Sequence, residues 1–367
     1  YSLPTDIDAT YADSGTDPSF KLHQQHHDSL HGYLNRFHTT YDAAGGAAFL
    51  VAAATAPQPL KTHADYVCDG TADQTEINAA LAALPVSSGM VLLSEGTFNL
   101  TGAVTVTGHG QTLAGTATGQ RSNASQNSVG TKLKVATGFT GTEAVRVQLT
   151  ANDAPAHGVT LRDFTVDGDA IGSNIDGVLF RSHTAHMNHV HVGRMTGTGI
   201  RLRGYNTTEA PPNGWATYDT FLTNLFVTDC SGTGIWFDTF AQDMHLIGAV
   251  IDNCLNGIRV GAGSQQITGC HTYSNTDYNV WFDSAGSRTK IVNLKCEQAG
   301  KHGLFLDGTT SGTSDVMVIG CNFKNSGTSA TNTYDHVFIG GTGTHSRPTV
   351  VGCNFTWTSG NLPRYGV

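Results

Sequence analysis

The chain has few charged residues, and this scarcity excludes several classes of protein. Only 13% of its 367 residues are Asp, Glu, Lys or Arg, and the formal net charge is −9. Nucleic-acid-binding proteins carry a basic surface, so we expect no nucleic acid among the partners. No apolar run approaches the ~18 residues that a membrane-spanning helix needs, so we also expect no membrane span.

Cysteine is sparse and odd in number. The seven Cys show no CxxC spacing, so a zinc site is not expected and a disulfide framework could only be partial. We expect most of them to be free, small apolar residues of the core. That state fits a chain that folds in a reducing cytoplasm.

Helix-forming residues are scarce after residue 90, whereas Thr, Ser, Asn and the 44 Gly are abundant. This composition is typical of a chain with many tight turns and a neutral, hydroxyl-rich surface. The length of the chain is sufficient for a large hydrophobic core.

The second half of the chain contains a repeated strand. Most copies follow one another after about 22–24 residues, and the two longest intervals are one such period plus an insertion. A fixed period in this range indicates a stacked-repeat architecture. The copies are Val178–Arg181, Gly199–Arg203, Gly234–Asp238, Gly257–Gly261, Asn279–Asp283, Gly303–Asp307 and His336–Gly340.

A second strand lies about ten residues before each copy, and its apolar and polar residues alternate as in a half-buried strand. The residues predicted to point inward are Leu225 and Val227, Ala249 and Ile251, Cys270 and Thr272, Leu294 and Cys296, Cys321 and Phe323, and Cys353 and Phe355. A short strand followed by a turn, repeated in this way, predicts an all-β fold, a parallel β-helix. Like residues of neighbouring coils then stack about 4.8 Å apart.

The chain divides into four predicted parts. Residues 1–42 form an N-terminal helical segment for attachment and oligomerisation, and residues 43–62 form a linker in which Phe49–Val51 could pair as a strand. Residues 63–105 supply a capping helix and entry strands. Residues 106–367 form the β-helix body, with loop insertions at 204–220 and 324–335.

Within the first part, residues 18–42 place apolar residues and His at alternating spacings of three and four, which is a heptad pattern. Because a helix this short is marginal alone, we expect it to associate with copies of itself, with a trimer as the favoured number. The alternative is an amphipathic helix that packs on its own domain.

Two segments resemble known families. Asp69–Asp73, the helix after it and the strands from Val91 to Leu100 resemble the opening of pectate-lyase-superfamily right-handed β-helices. Residues 21–42 resemble the N-terminal helix of minor tail proteins from phages of actinobacteria. The resemblance implies a right-handed single-stranded β-helix in a trimeric tail spike or fibre, located in the virion tail and folded in the host cytoplasm.

Candidate site residues lie on the outer face of the repeated strand. The second position of each copy points outward, and this column contains Leu179, Arg201, Trp236, Arg259, Trp281, Phe305 and Phe338. Aromatic rings can bind sugar rings, so we predict substrate binding by Trp236, Arg259, Trp281 and Phe305, and by Trp215 and Tyr218 of the first insertion.

The strand ends carry a short column of carboxylates, namely Asp238, Asp283 and Asp307. Glycoside hydrolysis needs two carboxyl groups, and Asp283 and Asp307 lie one coil apart, so these three are the predicted catalytic residues. Repulsion between neighbouring acids is expected to raise the pKa of one of them. The alternatives are a subunit interface for the aromatic column and turn hydrogen bonds for the acids.

No metal site is predicted. A calcium site would need a compact acidic cluster, and Asp163, Asp167 and Asp169 come closest to one.

Three functions remain open at this point. The first is a tail spike that recognises host cell-wall or capsule polysaccharide, and the second is a depolymerase of that glycan, either a hydrolase or a lyase. The third is a purely structural tail component. In each case we expect the N-terminus to contact other tail or baseplate proteins.

Overall fold

The structure is a computed structural model that describes residues 47–85, 87–118, 130–149, 155–204, 217–283, 286–309, 312–341, 343–358 and 361–367. The N-terminal helical segment, with its predicted trimer seam, lies outside these residues. Residues 48–367 form one compact unit.

The described chain begins with a capping region. Strand β1 (Ala48–Ala52) pairs in parallel with β2 (Tyr66–Val67) and β3 (Gly89–Leu93), and two helices lie between them, α1 (Gln58–His63) and α2 (Gln74–Ala83). The stretch predicted as a linker therefore holds a strand and a helix, because the apolar residues of β1 pair with the first full coil. Helix α2 packs on these first strands, as expected of a capping helix.

Asp73, at the start of α2, does not cap the helix with its side chain. Its carboxylate instead accepts hydrogen bonds from the N–H of Gly70 at 2.8 Å and of Asn99 at 2.6 Å. The carboxylate therefore ties the preceding turn to the next coil.

The body is a parallel β-helix, as predicted from the repeat; its right-handedness stays a prediction. Nine strands form one sheet, which we call the nine-stranded sheet. In chain order they are β5 (Val104–Val106), β8 (Glu143–Val147), β11 (Asp176–Phe180), β14 (Ile200–Leu202), β17 (Thr233–Phe237), β20 (Asn256–Val260), β23 (Val280–Phe282), β26 (Leu304–Asp307) and β29 (Val337–Gly340).

The predicted second strand of each coil is also present, and we call these strands the second ladder. They pair in register, so that Val227, Ile251, Thr272, Cys296, Phe323 and Phe355 stack on one another. The strands are β16 (Phe226–Thr228), β19 (Val250–Asp252), β22 (His271–Tyr273), β25 (Lys295–Glu297), β28 (Asn322–Lys324) and β31 (Asn354–Thr356).

A third strand in each coil was not predicted from the sequence. Each is three residues long, has one apolar residue at its centre and lies just before a strand of the second ladder. We call these strands the first ladder: β15 (Phe221–Thr223), β18 (His245–Ile247), β21 (Gln266–Thr268), β24 (Lys290–Val292), β27 (Met317–Ile319) and β30 (Thr349–Val351).

Two eight-residue strands of the earlier coils, β10 (Thr160–Asp167) and β13 (His186–Gly193), pair with each other, and β13 also pairs with strands of both ladders and joins them into one twenty-stranded sheet. The same sheet includes β4 (Gly96–Leu100), β6 (Gln111–Ala114) and β7 (Thr131–Val135). A two-stranded sheet of β9 (Ala156–His157) and β12 (Ser182–His183) completes the described strands.

Asparagine occupies several corners of the coils: Asn224 and Asn293 lie between the first and second ladders, and Asn253 and Asn325 directly follow strands of the second ladder. Asn224, Asn253, Asn293 and Asn325 each have a φ of 52°, in the left-handed region that Asn tolerates better than most residues. This geometry turns the chain sharply between adjacent strands, so the corners repeat from coil to coil.

All seven Cys are free thiols, and six of them are buried, which agrees with their predicted role in the core. Cys270 shows the pattern, because its Sγ donates to the carbonyl of Thr268 at 3.5 Å and to that of Leu246, one coil earlier, at 3.7 Å. The thiols therefore link neighbouring coils as weak donors.

The structure describes the two predicted insertions to different extents. Most of 204–220 lies outside the described residues. The segment 324–335 folds back on the preceding coil, where Thr328 and Ser329 donate N–H groups to the carbonyls of Ala299 and Gly300 at 3.0 Å.

The last described residues lie along the edge of β29. Val337 donates its N–H to Gly366 at 3.0 Å, and Arg364 forms an ion pair with Asp335 at 2.7 Å. Among the described residues, no helix has the length and apolar character needed to cross a membrane.

Candidate functional site

The nine-stranded sheet presents one column of outward side chains, each of them half-buried. The register confirms that residues one period apart are direct neighbours and adds two residues at the start of the column. From first coil to last it contains Thr105, Arg146, Leu179, Arg201, Trp236, Arg259, Trp281, Phe305 and Phe338.

Trp236 lies between two guanidinium groups. Its ring centroid is 4.3 Å from Cζ of Arg201, one coil earlier, and 4.1 Å from Cζ of Arg259, one coil later. Arg259 also lies 4.6 Å from the ring of Trp281. Cations favour the faces of aromatic rings, so the faces predicted to bind sugar are already in contact with protein.

The carboxylates at the strand ends are engaged as well. Asp238 accepts hydrogen bonds from Nε and Nη2 of Arg201 at 2.8 and 2.6 Å and lies 3.7 Å from Nε of Arg203. Asp283 accepts a hydrogen bond from Nε of Arg259 at 2.6 Å. These two acids therefore hold the arginine side chains of the column in place.

Asp307 has a different environment. It accepts hydrogen bonds from the backbone N–H of Thr309 at 2.9 Å and from the hydroxyl of the same residue. This is the turn role that the sequence left open as an alternative. Asp283 and Asp307 lie on consecutive coils, but each carboxylate has its own partner.

The remaining predicted binding residues lie apart from the stack of Arg201, Trp236, Arg259 and Trp281. Phe305 stacks on Phe338 with 5.4 Å between ring centroids, near the end of the column. Tyr218 is 42% exposed and contacts the ring of His183 at 4.4 Å, on the corner of the coil. Trp215 lies outside the described residues.

A groove with a volume of about 620 Å³ lies over the first half of the column. Its lining comes from five consecutive coils, and most of that lining is polar. The charged lining residues are Glu143, Arg146, Asp176, Arg181, Arg201 and Arg203, and Leu179 and Trp236 also line it.

Two acids of neighbouring coils line this groove. Glu143 and Asp176 occupy paired positions on β8 and β11, so their backbones lie about 4.8 Å apart. Glu143 is ion-paired with Nε of Arg146. Asp176 accepts a hydrogen bond from the N–H of Thr198 at 2.7 Å, and its other oxygen lies 3.9 Å from Nη1 of Arg201.

The two acids differ in their electrostatics. Burial raises the pKa of Asp176, and the nearby Glu143 and Asp238 raise it further, whereas the hydrogen bond from Thr198 and the charge of Arg201 oppose the rise. Glu143, by contrast, has the guanidinium of Arg146 as its direct ionic partner. One carboxyl group is thus shifted toward its protonated form next to a carboxylate with a cationic partner.

The sequence analysis missed this pair, although a signal was present. Glu143–Val147 and Asp176–Phe180 share an acid at the first position and apolar residues at the third and fifth. Extending the repeated strand one coil before Val178 aligns the two acids. The interval between them is longer than the usual period, and this hid the match.

One group among the described residues could hold a metal ion. Ligand atoms of Cys68, Asp73 and Glu76 lie within 4.8 Å of one another. The group lies in the capping region and not among the residues that line the groove.

The three acids considered for calcium face cations instead. Asp163 pairs with Arg162 at 2.6 Å, Asp169 pairs with Lys134 at 2.9 Å, and Asp167 accepts a hydrogen bond from Nε of Arg194 at 2.9 Å. Each carboxylate is neutralised by a side chain, which disfavours a shared divalent ion.

No protein-family model matches the sequence, and a search of curated proteins finds no match. Solved structures do match the fold. The ORF18 protein of Geobacillus virus E2 has a TM-score of 0.62 and 17% identity, over 81% of this chain and 57% of that one. The chain thus spans little more than half of that protein.

Two further structures have lower similarity. The A-module of the mannuronan C-5 epimerase AlgE4 of Azotobacter vinelandii has a TM-score of 0.50 and 16% identity, over 82% of this chain and 95% of the module. Tailspike protein 2 of bacteriophage CBA120 has a TM-score of 0.51 and 10% identity, over 77% of this chain and 40% of that one. At such identities the similarity shows a shared fold.

Proposed function

We propose that the chain belongs to a phage tail spike or fibre and binds a glycan of the host cell surface in the groove over the nine-stranded sheet. The groove carries this proposal, because it is a polar cleft in which both arginines and acids line the surface. Guanidinium and carboxylate groups are suited to the hydroxyl and acidic groups of sugars.

Three observations support the context of the proposal. Two of the structural neighbours come from phages, and one of these is a tailspike. The resemblance of residues 21–42 to minor tail proteins of actinobacterial phages, which rests on the sequence alone, predicts the same context. A rigid stack of coils also provides a fixed surface on which a groove keeps its shape. Assembly as a trimer and attachment through residues 1–42 are part of the same proposal.

Binding can be tested by filling the groove. Leu179 lies half-buried in the groove lining, so Leu179→Trp adds bulk there and removes no hydrogen bond. The labelled protein is titrated with polysaccharide extracted from the cell walls of actinobacterial hosts. We expect at least a roughly tenfold loss of affinity in this variant, which corresponds to about 1.4 kcal/mol.

A matched control adds the same bulk to the same column outside the groove. Phe338→Trp lies at the far end of the column and is expected to bind like the natural chain. Equal affinities of the natural chain and Leu179→Trp would move the site elsewhere. Absence of binding to every extract would contradict the proposal itself.

The second candidate function is cleavage of the same glycan, and the pair Glu143 and Asp176 favours it. Retaining glycosidases use an acid and a carboxylate nucleophile about 5–5.5 Å apart, which is close to the spacing of neighbouring coils. Asp176, with its raised pKa, would protonate the leaving oxygen. Glu143 would attack the anomeric carbon, and water would then release the sugar with retention.

Cleavage is measured as new reducing ends after incubation with the polysaccharide. If this activity exists, Asp176→Asn and Glu143→Gln are expected to lower it by at least about a hundredfold. Asp283→Asn and Asp307→Asn, at the acids predicted from the sequence, are expected to retain it. The opposite pattern would assign catalysis to the strand ends, and binding without cleavage would leave recognition as the function.

A further inference from the structure

Two cysteines occupy equivalent positions on the last two described coils. Cys321 directly precedes β28 and Cys353 directly precedes β31, and these strands pair in register through Asn322 and Asn354. Residues in register on neighbouring parallel strands lie about 4.8 Å apart. Disulfide-bonded residues have Cα atoms roughly 4.4–6.8 Å apart, so the backbone spacing of this pair lies within the range of a disulfide.

The two thiols also point the same way. Sγ of Cys321 donates to the carbonyl of Ile319 at 3.4 Å, and Sγ of Cys353 donates to the carbonyl of Val351 at 3.5 Å. The two thiols are within hydrogen-bonding reach of each other, and burial together with this neighbour raises the pKa of Cys321 to about 11.

The pair differs from other thiols in its access to solvent. Cys353 is half-exposed, although Cys321 is only 1% exposed. Among the described strands, β30 and β31 pair with a neighbouring coil on one side only, and Val351 between them is 52% exposed.

The chain contains a second pair with which to compare the first. Cys230 and Cys254 also lie on consecutive coils, and the neighbouring Cys230 together with burial raises the pKa of the Cys254 thiol. They are 3% and 1% exposed, and their coils are paired on both sides. This pair has similar proximity but no access to an oxidant.

We propose that Cys321 and Cys353 form an intramolecular disulfide in an oxidising medium, while Cys230 and Cys254 stay reduced. The bond would fasten the coil of β31 to the coil of β28 before it. It would close a loop of about thirty residues, and such closure stabilises mainly by restricting the unfolded chain.

The oxidant is a small soluble disulfide such as oxidised glutathione. The thiolate of Cys353 attacks one glutathione sulfur, forms a mixed disulfide and releases one glutathione thiolate. The thiolate of Cys321 then attacks the sulfur of Cys353 and releases the second. Two protein thiols are oxidised, one glutathione disulfide is reduced to two thiols, and the protons of the cysteines pass to the glutathiones. Because Cys321 is rarely ionised at neutral pH, the second step is expected to be slow.

The test uses the full chain, incubated with oxidised glutathione at pH 8 and then alkylated in denaturant. We expect the number of free thiols to fall from seven to five and a peptide joined through Cys321 and Cys353 to appear in the mass spectrum. The oxidised protein is also expected to have a higher Tm than the reduced protein.

Two variants separate the proposal from its alternatives. Cys353→Ser is expected to keep all six of its thiols and gain no stability on oxidation, whereas Cys230→Ser is expected to form the same cross-link as the natural chain. Seven thiols after oxidation, a persistent glutathione adduct, a dimer linked through Cys353, or a bond between Cys230 and Cys254 would each overturn the proposal.

Discussion

Asp176 shows how position determines the chemistry of a single residue. Its pKa is raised by burial and by the charges of Glu143, one coil earlier, and Asp238, two coils later. Composition and local motif therefore could not identify it, since the effect needs the register of several coils. The sequence did place Asp238, Asp283 and Arg259 on neighbouring coils, but their ion pairs depend on side-chain geometry.

The raised pKa of Asp176 predicts a change in stability. Ionisation of this carboxyl is less favourable in the folded chain than in the unfolded chain, so stability is lost as the pH rises through the folded pKa. Asp176→Asn stays neutral and still accepts the bond from Thr198. We expect its Tm to exceed that of the natural chain at pH 7, with a smaller difference near pH 4.

Thermal unfolding at both pH values measures this effect, and Asp307→Asn serves as the control at a turn. A lower Tm for Asp176→Asn at pH 7 would show that the ionised carboxylate stabilises the fold.

Arg259 connects two rings and one carboxylate of the column. Its guanidinium contacts Trp236 and Trp281 and pairs with Asp283, whose side chain is only 13% exposed. Arg259→Ala removes both ring contacts and the charge that neutralises the acid. We expect the free energy of unfolding to fall by about 2–4 kcal/mol in a urea titration.

The control for this variant is an exposed ion pair. Arg347 pairs with Asp315 at 2.6 Å, but its side chain is 74% exposed. Arg347→Ala is therefore expected to change stability very little. Similar losses in the two variants would mean that the contacts of Arg259 with the two tryptophan rings add no stability beyond that of an exposed ion pair.

Among the elements, the strands of the coil were predictable to different degrees. Each three-residue strand of the two ladders has one inward residue at its centre and a buried residue two positions earlier. In the second ladder the earlier residue is apolar, as Leu225 is before Val227, so the alternation is visible in the sequence. In the first ladder it is often polar, as Thr220 is before Leu222, so no apolar period marks these strands.

Close contact between coils also depends on glycine near the start of strands in the nine-stranded sheet. A Cβ at Gly234 would lie 2.4 Å from a methyl group of Ile251 and 2.8 Å from the carbonyl oxygen of Gly257, one coil later. Neither neighbour can move without shifting the stack. We therefore expect Gly234→Ala to lower the free energy of unfolding by about 1–3 kcal/mol, measured by urea titration.

Gly102→Ala is the matched control, because its Cβ would meet only the flexible amide of Gln74, at 3.4 Å. If Gly234→Ala is as stable as the control, the coils have more freedom than the stacking implies.

The buried histidines predict that the stability of the folded chain decreases in acid. His183, His302 and His336 are 1%, 7% and 3% exposed, and burial lowers the pKa of each to about 4. Above pH 6.5 they are mostly neutral in both states and cost little. As the pH falls, the unfolded chain binds protons that the folded chain rejects, so stability falls by roughly 2 kcal/mol per histidine at pH 5.

Thermal unfolding between pH 7.5 and pH 5 measures this loss, in a range where most carboxyl groups do not yet titrate. We expect Tm to decrease steadily across it, and His183→Phe to reduce the slope. A Tm independent of pH would show that these rings gain protons as readily in the fold as in the unfolded chain.

We propose that a glycan binds in the groove over the first half of the nine-stranded sheet. Hydrogen–deuterium exchange of the full chain, with and without a polysaccharide that it binds, tests this most directly. We predict slower exchange in residues 142–148, 174–181 and 196–203, which lie on three consecutive coils and line the groove. Slower exchange confined to the aromatic end near Phe305 and Phe338, or to the face of the first ladder, would contradict the account.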